Sequence, residues 1–165
     1  MSARVIVIMG VSASGKTTIG EALAHKNNFL FVDGDNLHSA NNIEKMKAGI
    51  ALTDGDREGW FVNIINVANK QLAVNETVVI ACSALKRKYR NTLRKGIKNL
   101  LFVYLKITFE QALQQAAKRK DHFMPVTLLK SQFEILEEPQ QDEEDTITII
   151  PDSTVKATLS SIKIN

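Results

Sequence analysis

The chain has 165 residues, of which 44% are hydrophobic and 24% are charged, and its formal net charge is +3. This size and composition are typical of one globular domain and argue against disorder and against two domains. No apolar run is long enough for a signal peptide or a membrane span, and Cys82 is the single cysteine. We therefore expect one cytoplasmic domain over residues 1–165, without a disulfide, in which Cys82 is a small buried side chain.

The charge is unevenly distributed along the chain. Residues 86–98 include seven basic residues and no acid, whereas residues 134–145 include seven acids and no base. A basic run could bind nucleic acid, but Tyr89 is the only aromatic residue interleaved in this one. We expect neither a nucleic-acid nor a membrane partner, and we assign the local positive charge to a small anionic ligand.

Apolar runs and helical periodicity alternate along the chain. Short β-branched runs predict five strands, at 4–9, 29–32, 77–81, 100–105 and 146–150. Helical spacing and capping signals predict helices directly after the first strand, at about 37–47, 56–74 and 86–95, and from residues 108, 125 and 153. The alternation predicts a three-layer α/β/α sandwich around a five-stranded parallel sheet, with its ligands at the carboxyl ends of the strands.

A phosphate-binding motif follows the first predicted strand. Residues 10–17 read G-V-S-A-S-G-K-T and match G-x-x-x-x-G-K-[ST] in full. Such a loop directs backbone N–H groups and the positive end of the next helix at phosphates, while the lysine reaches the β- and γ-phosphates. The motif predicts an ATP site formed by Gly10, Val11, Ser12, Ala13, Ser14, Gly15, Lys16, Thr17 and Thr18. Ala13 stands where a second glycine is usual, and it is compatible with the loop if its φ is negative.

Two carboxylates end the second predicted strand, in Asp33-Gly34-Asp35. Alternation along an extended backbone would place both side chains on the same side, facing the cleft. Asp33 would then support Mg²⁺ together with the Thr17 hydroxyl, and Asp35 would orient or deprotonate the acceptor hydroxyl. The alternative is that both aspartates only cap a turn. Trp60, in the next long helix, is expected to belong to the core.

Several segments beyond the phosphate loop resemble the gluconokinases, a family of P-loop small-molecule kinases. They are D-G-D-N-L-H at 33–38, L-T-D-G-D-R-E-G-W at 52–60, C-S-A-L-K-R-K-Y-R at 82–90, H-F-M-P at 122–125 and S-Q-F at 131–133. Their order and spacing hold from about Val5 to Asp145. The resemblance implies a nucleoside-kinase-like fold, ATP and Mg²⁺ as cofactors, D-gluconate as substrate, 6-phospho-D-gluconate as product, and a homodimer.

The resemblance also implies roles for individual residues. Substrate binding falls to Asp35, His38, Arg57, Ser83 and Lys86. With the roles inferred above for Lys16 and Asp35, we expect catalysis to depend on Lys16, Asp35, Arg57 and Arg119. Residues of about 118–135 would form a lid over ATP, in which Arg119 contacts the nucleotide and neutralises transition-state charge. Alternatively, Arg119 is a solvated basic helix end, and His38 is a polar residue at a helix start.

One departure from the family pattern affects the lid. Gln115 stands where relatives commonly carry an arginine, four residues before Arg119, so a cation is missing there. Two further functions therefore stay open beside gluconate phosphorylation. One is a kinase for shikimate, a nucleoside or another sugar acid, and the other is a nucleotide-binding regulator with weak catalysis.

Overall fold

The computed structural model describes residues 2–119 and 125–164. Within these residues, five parallel strands form one sheet in the order β2-β3-β1-β4-β5. The strands are β1 (Val5–Met9), β2 (Leu30–Asp33), β3 (Val78–Ala81), β4 (Leu100–Leu105) and β5 (Thr146–Ile149). Each begins and ends within one residue of its predicted position, because the apolar, β-branched runs of a buried parallel strand are unambiguous.

In the part of the chain that the structure describes, seven α-helices connect and flank the strands. They are α1 (Lys16–Asn27), α2 (Ala40–Lys47), α3 (Asp54–Ala73), α4 (Arg87–Gly96), α5 (Phe109–Lys118), α6 (Val126–Ile135) and α7 (Val155–Ser161). Within the described residues, no helix has both the length and the apolar character that a membrane crossing needs. The predicted capping box of α5 is present, since Thr108 and Gln111 bond each other's backbone N–H groups.

The helices cover both faces of the sheet. On one face Val5, Val7 and Met9 pack with α3 and α4, and on the other Ile6 and Ile8 pack with α1. Alternate residues of the central strand thus enter two separate hydrophobic cores, which gives the predicted three layers. Trp60 and Cys82 are buried in the first core, as predicted, and burial raises the pKa of the Cys82 thiol to about 12.

The predicted helix at 37–47 begins differently from what the sequence pattern indicated. A 3-10 turn (Gly34–Leu37) follows β2 directly, and α2 begins only after Ser39, whose side chain accepts a hydrogen bond from the Asn42 N–H. At Gly34 the backbone passes so close to β3 that a Cβ atom would lie 2.2 Å from the Ala81 carbonyl oxygen. Asp35 therefore lies in a helical turn, so the premise of an extended backbone was wrong at this residue, although its side chain still lines the pocket beside the phosphate loop.

The basic and acidic segments meet in the folded chain. Arg90 is fully buried, and its guanidinium donates to both Glu143 carboxylate oxygens, at 2.7 and 2.8 Å, and to the Ala84 and Leu85 carbonyls. Arg94 pairs with Glu143 and Asp145. Burial alone would raise the pKa of Glu143, but the arginine hydrogen bonds outweigh it and lower the pKa to about 2. Much of the positive charge of α4 is therefore balanced within the fold.

Candidate active site

The phosphate loop joins β1 to α1 at the carboxyl edge of the sheet. The N-cap of α1 is Gly15, no side chain of the described residues caps the helix, and its first turn contains no acid. The first N–H groups of a helix lack intrahelical partners, so this end of α1 is suited to an anion. Gly10 and Gly15 have φ values of 147° and 96°, which glycine adopts readily.

Ala13 departs from the sequence expectation. Its φ is 65°, in the left-handed region, and not negative as compatibility with the loop required. An alanine there is strained by roughly 1–2 kcal/mol because its Cβ crowds the following carbonyl. The loop therefore keeps the backbone shape for which a glycine would be suited.

The side chain of Lys16 folds back over the phosphate loop. Its Nζ donates to the Val11 carbonyl at 2.9 Å. Burial lowers the pKa of Lys16, Asp35 opposes this shift, and Arg119 adds to it. An incoming phosphate would replace the carbonyl and stabilise the ammonium form.

Thr17 and Asp33 face each other across the start of α1. Thr17 Oγ1 donates to Asp33 Oδ2 at 3.5 Å, while Asp33 Oδ1 accepts from the Asp35 N–H at 3.0 Å. Asp33 therefore caps a turn, as the alternative interpretation held, and also keeps one oxygen beside the hydroxyl. Within the ranges that the structure describes, no group of three or more His, Cys, Asp or Glu side chains could hold a metal ion. A hydroxyl and one carboxylate fit Mg²⁺, which retains waters and is completed by substrate phosphates.

A pocket of about 270 Å³ opens beside the loop. All five predicted acceptor-binding residues line it, together with two residues of the phosphate loop. They are Asp35, His38, Arg57, Ser83 and Lys86, with Ser12 and Lys16. Residues that are far apart in the sequence are brought together because the carboxyl ends of parallel strands share one edge.

His38 is buried and stacked on Trp60, with ring centroids 4.0 Å apart. Burial, reinforced by the Arg57 charge, lowers the pKa of His38 to about 4. The Asn42 side-chain N–H₂ lies 3.3 Å from His38 Nδ1 and also donates to the Asp56 carbonyl. Since Nδ1 accepts from this amide, the neutral ring carries its proton on Nε2, the nitrogen left to donate.

Arg57 and Lys86 form a cationic wall that Tyr89 organises. Arg57 Nη1 donates to the Leu52 carbonyl at 2.6 Å and to the Tyr89 hydroxyl at 3.1 Å. Both cations lie over the Tyr89 ring, with Arg57 Cζ at 5.2 Å and Lys86 Nζ at 5.6 Å from its centroid. The Tyr89 hydroxyl in turn donates to Asp54, whose pKa is lowered by hydrogen bonds from Lys88 and Tyr89.

The predicted lid falls partly outside the described residues. Arg119 follows the last residue of α5, is exposed, and acts electrostatically on Lys16. Residues 120–124, which include His122 and Phe123, lie outside the described ranges, and α6 forms the remainder of the predicted segment. Thr18, predicted to bind nucleotide, lines a separate groove between α1 and α7.

Sequence reasoning gave no role to three residues at this site. Gln132 lines the pocket and accepts a hydrogen bond from the Ser12 N–H, and Asp54 and Tyr89 support the cationic wall. All three lie in segments that resemble the gluconokinases, which was the available signal. Local pattern alone could not have assigned them, because each acts through a residue distant in the sequence.

Comparison with known proteins places the chain in a family. The thermosensitive gluconokinase of Escherichia coli (strain K12) is 46% identical over 149 residues, which cover 90% of this chain and 80% of that protein. The thermoresistant gluconokinase of the same strain is 40% identical over 95% of this chain and 90% of the relative. The chain belongs to the gluconokinase family.

Structural comparison agrees with this family assignment. A gluconokinase from Sinorhizobium meliloti 1021 superposes with a TM-score of 0.85 at 40% identity, over 96% of this chain and 88% of that one. The family profile described as shikimate kinase matches residues 12–164. A shikimate kinase from Aquifex aeolicus gives a TM-score of 0.57 at 16% identity over 94% of this chain and 91% of that one, which shows the shared fold.

Proposed function

We propose that the protein transfers the γ-phosphoryl group of ATP to D-gluconate, giving 6-phospho-D-gluconate and ADP. One observation carries the proposal: a single pocket is lined by the phosphate-loop lysine, two carboxylates (Asp35 and Asp54) and two further cations, in a chain 40–46% identical to proteins named gluconokinases. The Asp35 carboxylate suits a hydroxyl that must lose its proton, and the cations suit a substrate that is itself a carboxylate.

The binding roles follow from the geometry of the pocket. Arg57 offers a guanidinium whose position is fixed by Leu52 and Tyr89, so it can bind the gluconate carboxylate with little loss of side-chain entropy. Lys86 adds a second positive charge, and neutral His38 donates from Nε2 to a substrate hydroxyl. Ser83 adds a small hydroxyl to the same wall.

The catalytic roles divide between the two ends of the pocket. Asp35 accepts the proton of the gluconate 6-hydroxyl. The hydroxyl oxygen forms a bond to the γ-phosphorus while the bond between that phosphorus and the oxygen of ADP breaks. Lys16 and Arg119 neutralise the charge that develops on the transferred group and on the leaving oxygen. Thr17 and Asp33 would hold Mg²⁺, which supplies charge neutralisation between the phosphates.

Four further predictions belong to the same proposal. They are a single kinase domain over residues 1–165, a lid over residues 118–135, a cytoplasmic location and a homodimer. Nucleic acid is not proposed as a partner, because the arginines of the basic helix pair with the acidic segment.

The decisive experiment measures ADP release from MgATP with and without gluconate. Asp35→Asn should keep MgATP binding and lower gluconate-dependent ADP release by about 10²-fold or more, since general-base catalysis contributes roughly 10²–10⁴-fold. Glu58→Gln is the matched control, because it makes the same chemical change at an exposed carboxylate that does not line the pocket. Shikimate and a nucleoside serve as alternative acceptors.

Two outcomes with wild-type protein would contradict the proposal. Protein that binds MgATP but turns over shikimate or a nucleoside in place of gluconate would overturn the acceptor. Tight MgATP binding without turnover of any acceptor would favour the nucleotide-binding regulator. Separately, unchanged activity in Asp35→Asn would remove the carboxylate from its catalytic role.

A further inference from the structure

Gln132 connects the wall of the acceptor pocket to the phosphate loop. Its side-chain Oε1 accepts a hydrogen bond from the Ser12 N–H at 2.6 Å, across 120 positions of sequence. Only the oxygen of an amide can accept from an N–H donor, so this contact fixes which way the amide faces. The Nε2 group, with its two N–H donors, is therefore the end of the side chain that Ser12 leaves available.

This amide nitrogen has no acceptor within the described residues. No hydrogen bond from Gln132 Nε2 is present among them, although the side chain is half-buried and lines the pocket. Its neighbour Ser131 differs in this respect, because the Ser131 hydroxyl donates to the Leu128 carbonyl of its own helix at 2.7 Å. A half-buried side chain that lines a ligand pocket and keeps two N–H donors without a partner among the described residues is suited to a ligand oxygen.

We infer that Gln132 is a further acceptor-binding residue, whose Nε2 donates to an oxygen of the gluconate while its Oε1 remains bonded to the phosphate loop. This inference rests on the proposed function and adds to it one substrate-binding residue that acts as a hydrogen-bond donor. Because the same side chain would bond both the acceptor and the loop that holds the donor phosphates, it would position the two substrates relative to each other.

Helix α6 is built to hold Gln132 in this position. Leu128 and Leu129 are buried, and Phe133 packs edge-on against Phe109 of α5 with ring centroids 5.4 Å apart. Just beyond its C-terminal end the Glu137 N–H donates to the Leu85 carbonyl at 2.8 Å, in the segment between Ser83 and Lys86. The end of the helix is thus fastened to the same loop that carries Ser83 and Lys86, which holds the amide beside the pocket.

Two other roles for this contact make different predictions. Gln132 could act only as a clamp on the phosphate loop, in which case its loss would affect MgATP and gluconate alike. It could also compete with a nucleotide phosphate for the Ser12 N–H, in which case its loss would tighten MgATP binding. If Gln132 binds the acceptor, its loss should weaken the binding of gluconate and leave the binding of MgATP nearly unchanged.

The test exchanges the amide for a carboxylate. Gln132→Glu keeps an oxygen that can accept from Ser12 but replaces the donor with an acceptor. We expect the KM for gluconate to rise by about 10-fold or more, because the hydrogen bond is lost and the new carboxylate repels the anionic substrate. The Kd for MgATP without gluconate is measured with the uncharged variant Gln132→Met, since a carboxylate beside the phosphate loop would itself repel the nucleotide, and it should change at least tenfold less than the KM for gluconate. Glu134→Gln, the reverse exchange at an exposed position of the same helix, should leave both values unchanged.

A pH profile separates donor loss from structural damage. Once protonated, the introduced carboxyl group regains one O–H donor, so the KM ratio of Gln132→Glu to wild type should fall as the pH is lowered from about 8 toward about 5.5. Gln132→Met, which lacks both polar atoms, should show a raised KM without this recovery. Unfolding midpoints of all variants establish that each is folded.

The inference would be overturned in three ways. An unchanged gluconate KM in Gln132→Glu excludes the donor role. In the uncharged variant Gln132→Met, an equal effect on the MgATP Kd indicates a clamp, and tighter MgATP binding indicates competition. Wild-type protein without gluconate-dependent ADP release would instead overturn the proposed function, so the two failures are distinguishable.

Discussion

The surroundings of the His38 imidazole determine its protonation state. Stacking on Trp60 removes it from water, and burial with the Arg57 charge lowers its pKa to about 4. A histidine of ordinary pKa would be partly protonated near neutral pH, and its charge would add to that of Arg57. Packing thus keeps the ring a neutral donor over the whole range in which a kinase works.

This depressed pKa predicts a pH-dependent stability. Between about pH 4 and 6.5 the unfolded chain binds a proton on His38 that the folded chain does not, so the free energy of unfolding falls as the pH is lowered, by up to about 1.4 kcal/mol per unit. His38→Gln should remove this slope in urea denaturation at a series of pH values. The exposed residue His25 provides the control His25→Gln, which should keep it. The lowered pKa values of Asp54, Asp56 and Glu143 contribute in the same direction, but mainly below this window.

The backbone conformations at Ala13 and Gly59 predict that two substitutions in opposite directions, Ala13→Gly and Gly59→Ala, both stabilise the protein. Because the φ of Ala13 is 65°, Ala13→Gly should raise the free energy of unfolding by about 0.5–1 kcal/mol. Gly59 lies exposed inside α3 with open space around its Cα, so Gly59→Ala should also stabilise, by about 0.5–1 kcal/mol. Denaturant titration of both variants checks this. If Ala13→Gly destabilises the protein, the left-handed conformation is not the one populated in solution.

At the scale of elements, the sequence predicted the strands closely and the site only in part. A buried parallel strand has a local signature, and so does a capping box, which explains why β4 and the start of α5 were placed correctly. The turn at Gly34 depends on the Ala81 carbonyl of another strand, and the Gln132 contact depends on a loop 120 residues away. Neither leaves a periodic signal in its own segment.

Helix α4 contributes a residue that acts through another element. Tyr89 contacts both cations of the cationic wall, Arg57 and Lys86. Its hydroxyl accepts a hydrogen bond from Arg57 and donates one to Asp54. Because burial and Asp54 raise its pKa to about 12, the hydroxyl stays protonated in neutral solution. Tyr89 is therefore a positioning residue for Arg57.

Tyr89→Phe keeps the ring and removes the hydroxyl. We expect the KM for gluconate to rise by about 3- to 10-fold, with kcat changed less, because a net hydrogen bond contributes about 0.5–1.5 kcal/mol. The control is Tyr104→Phe, at a buried tyrosine of β4 that faces Glu138 and does not line the pocket. Steady-state kinetics should show a change of KM in the first variant only. If the KM for gluconate changed equally in both variants, Tyr89 would have no specific role in positioning the cationic wall.

For the whole molecule, the two charged segments have a structural role. Arg90 and Glu143 form a fully buried pair, whereas Arg87 and Asp142 form an exposed one in the same two segments. Breaking a buried pair leaves an uncompensated charge and costs about 3–5 kcal/mol, while solvent screens an exposed pair and makes its contribution small.

This contrast gives a matched prediction. Glu143→Gln should lower the free energy of unfolding by about 3–5 kcal/mol, and Asp142→Asn should lower it far less. Adding Arg90→Met to Glu143→Gln should recover part of the loss, because the buried guanidinium is then gone. Urea denaturation, analysed with the same dependence of the free energy of unfolding on urea concentration for each protein, measures all three variants. Similar costs for the two single variants would show that Arg90 is hydrated.

The buried pair also imposes an order on synthesis. Arg90 leaves the ribosome 53 residues before Glu143, and until then, among the described residues, its guanidinium has only the Ala84 and Leu85 carbonyls as partners in the core. A nascent chain that ends between Leu105 and Glu143 carries β1 to β4 yet cannot bury α4 without an unpaired charge. We therefore expect the loop that holds Ser83 and Lys86 to become fixed only once the acidic segment has emerged.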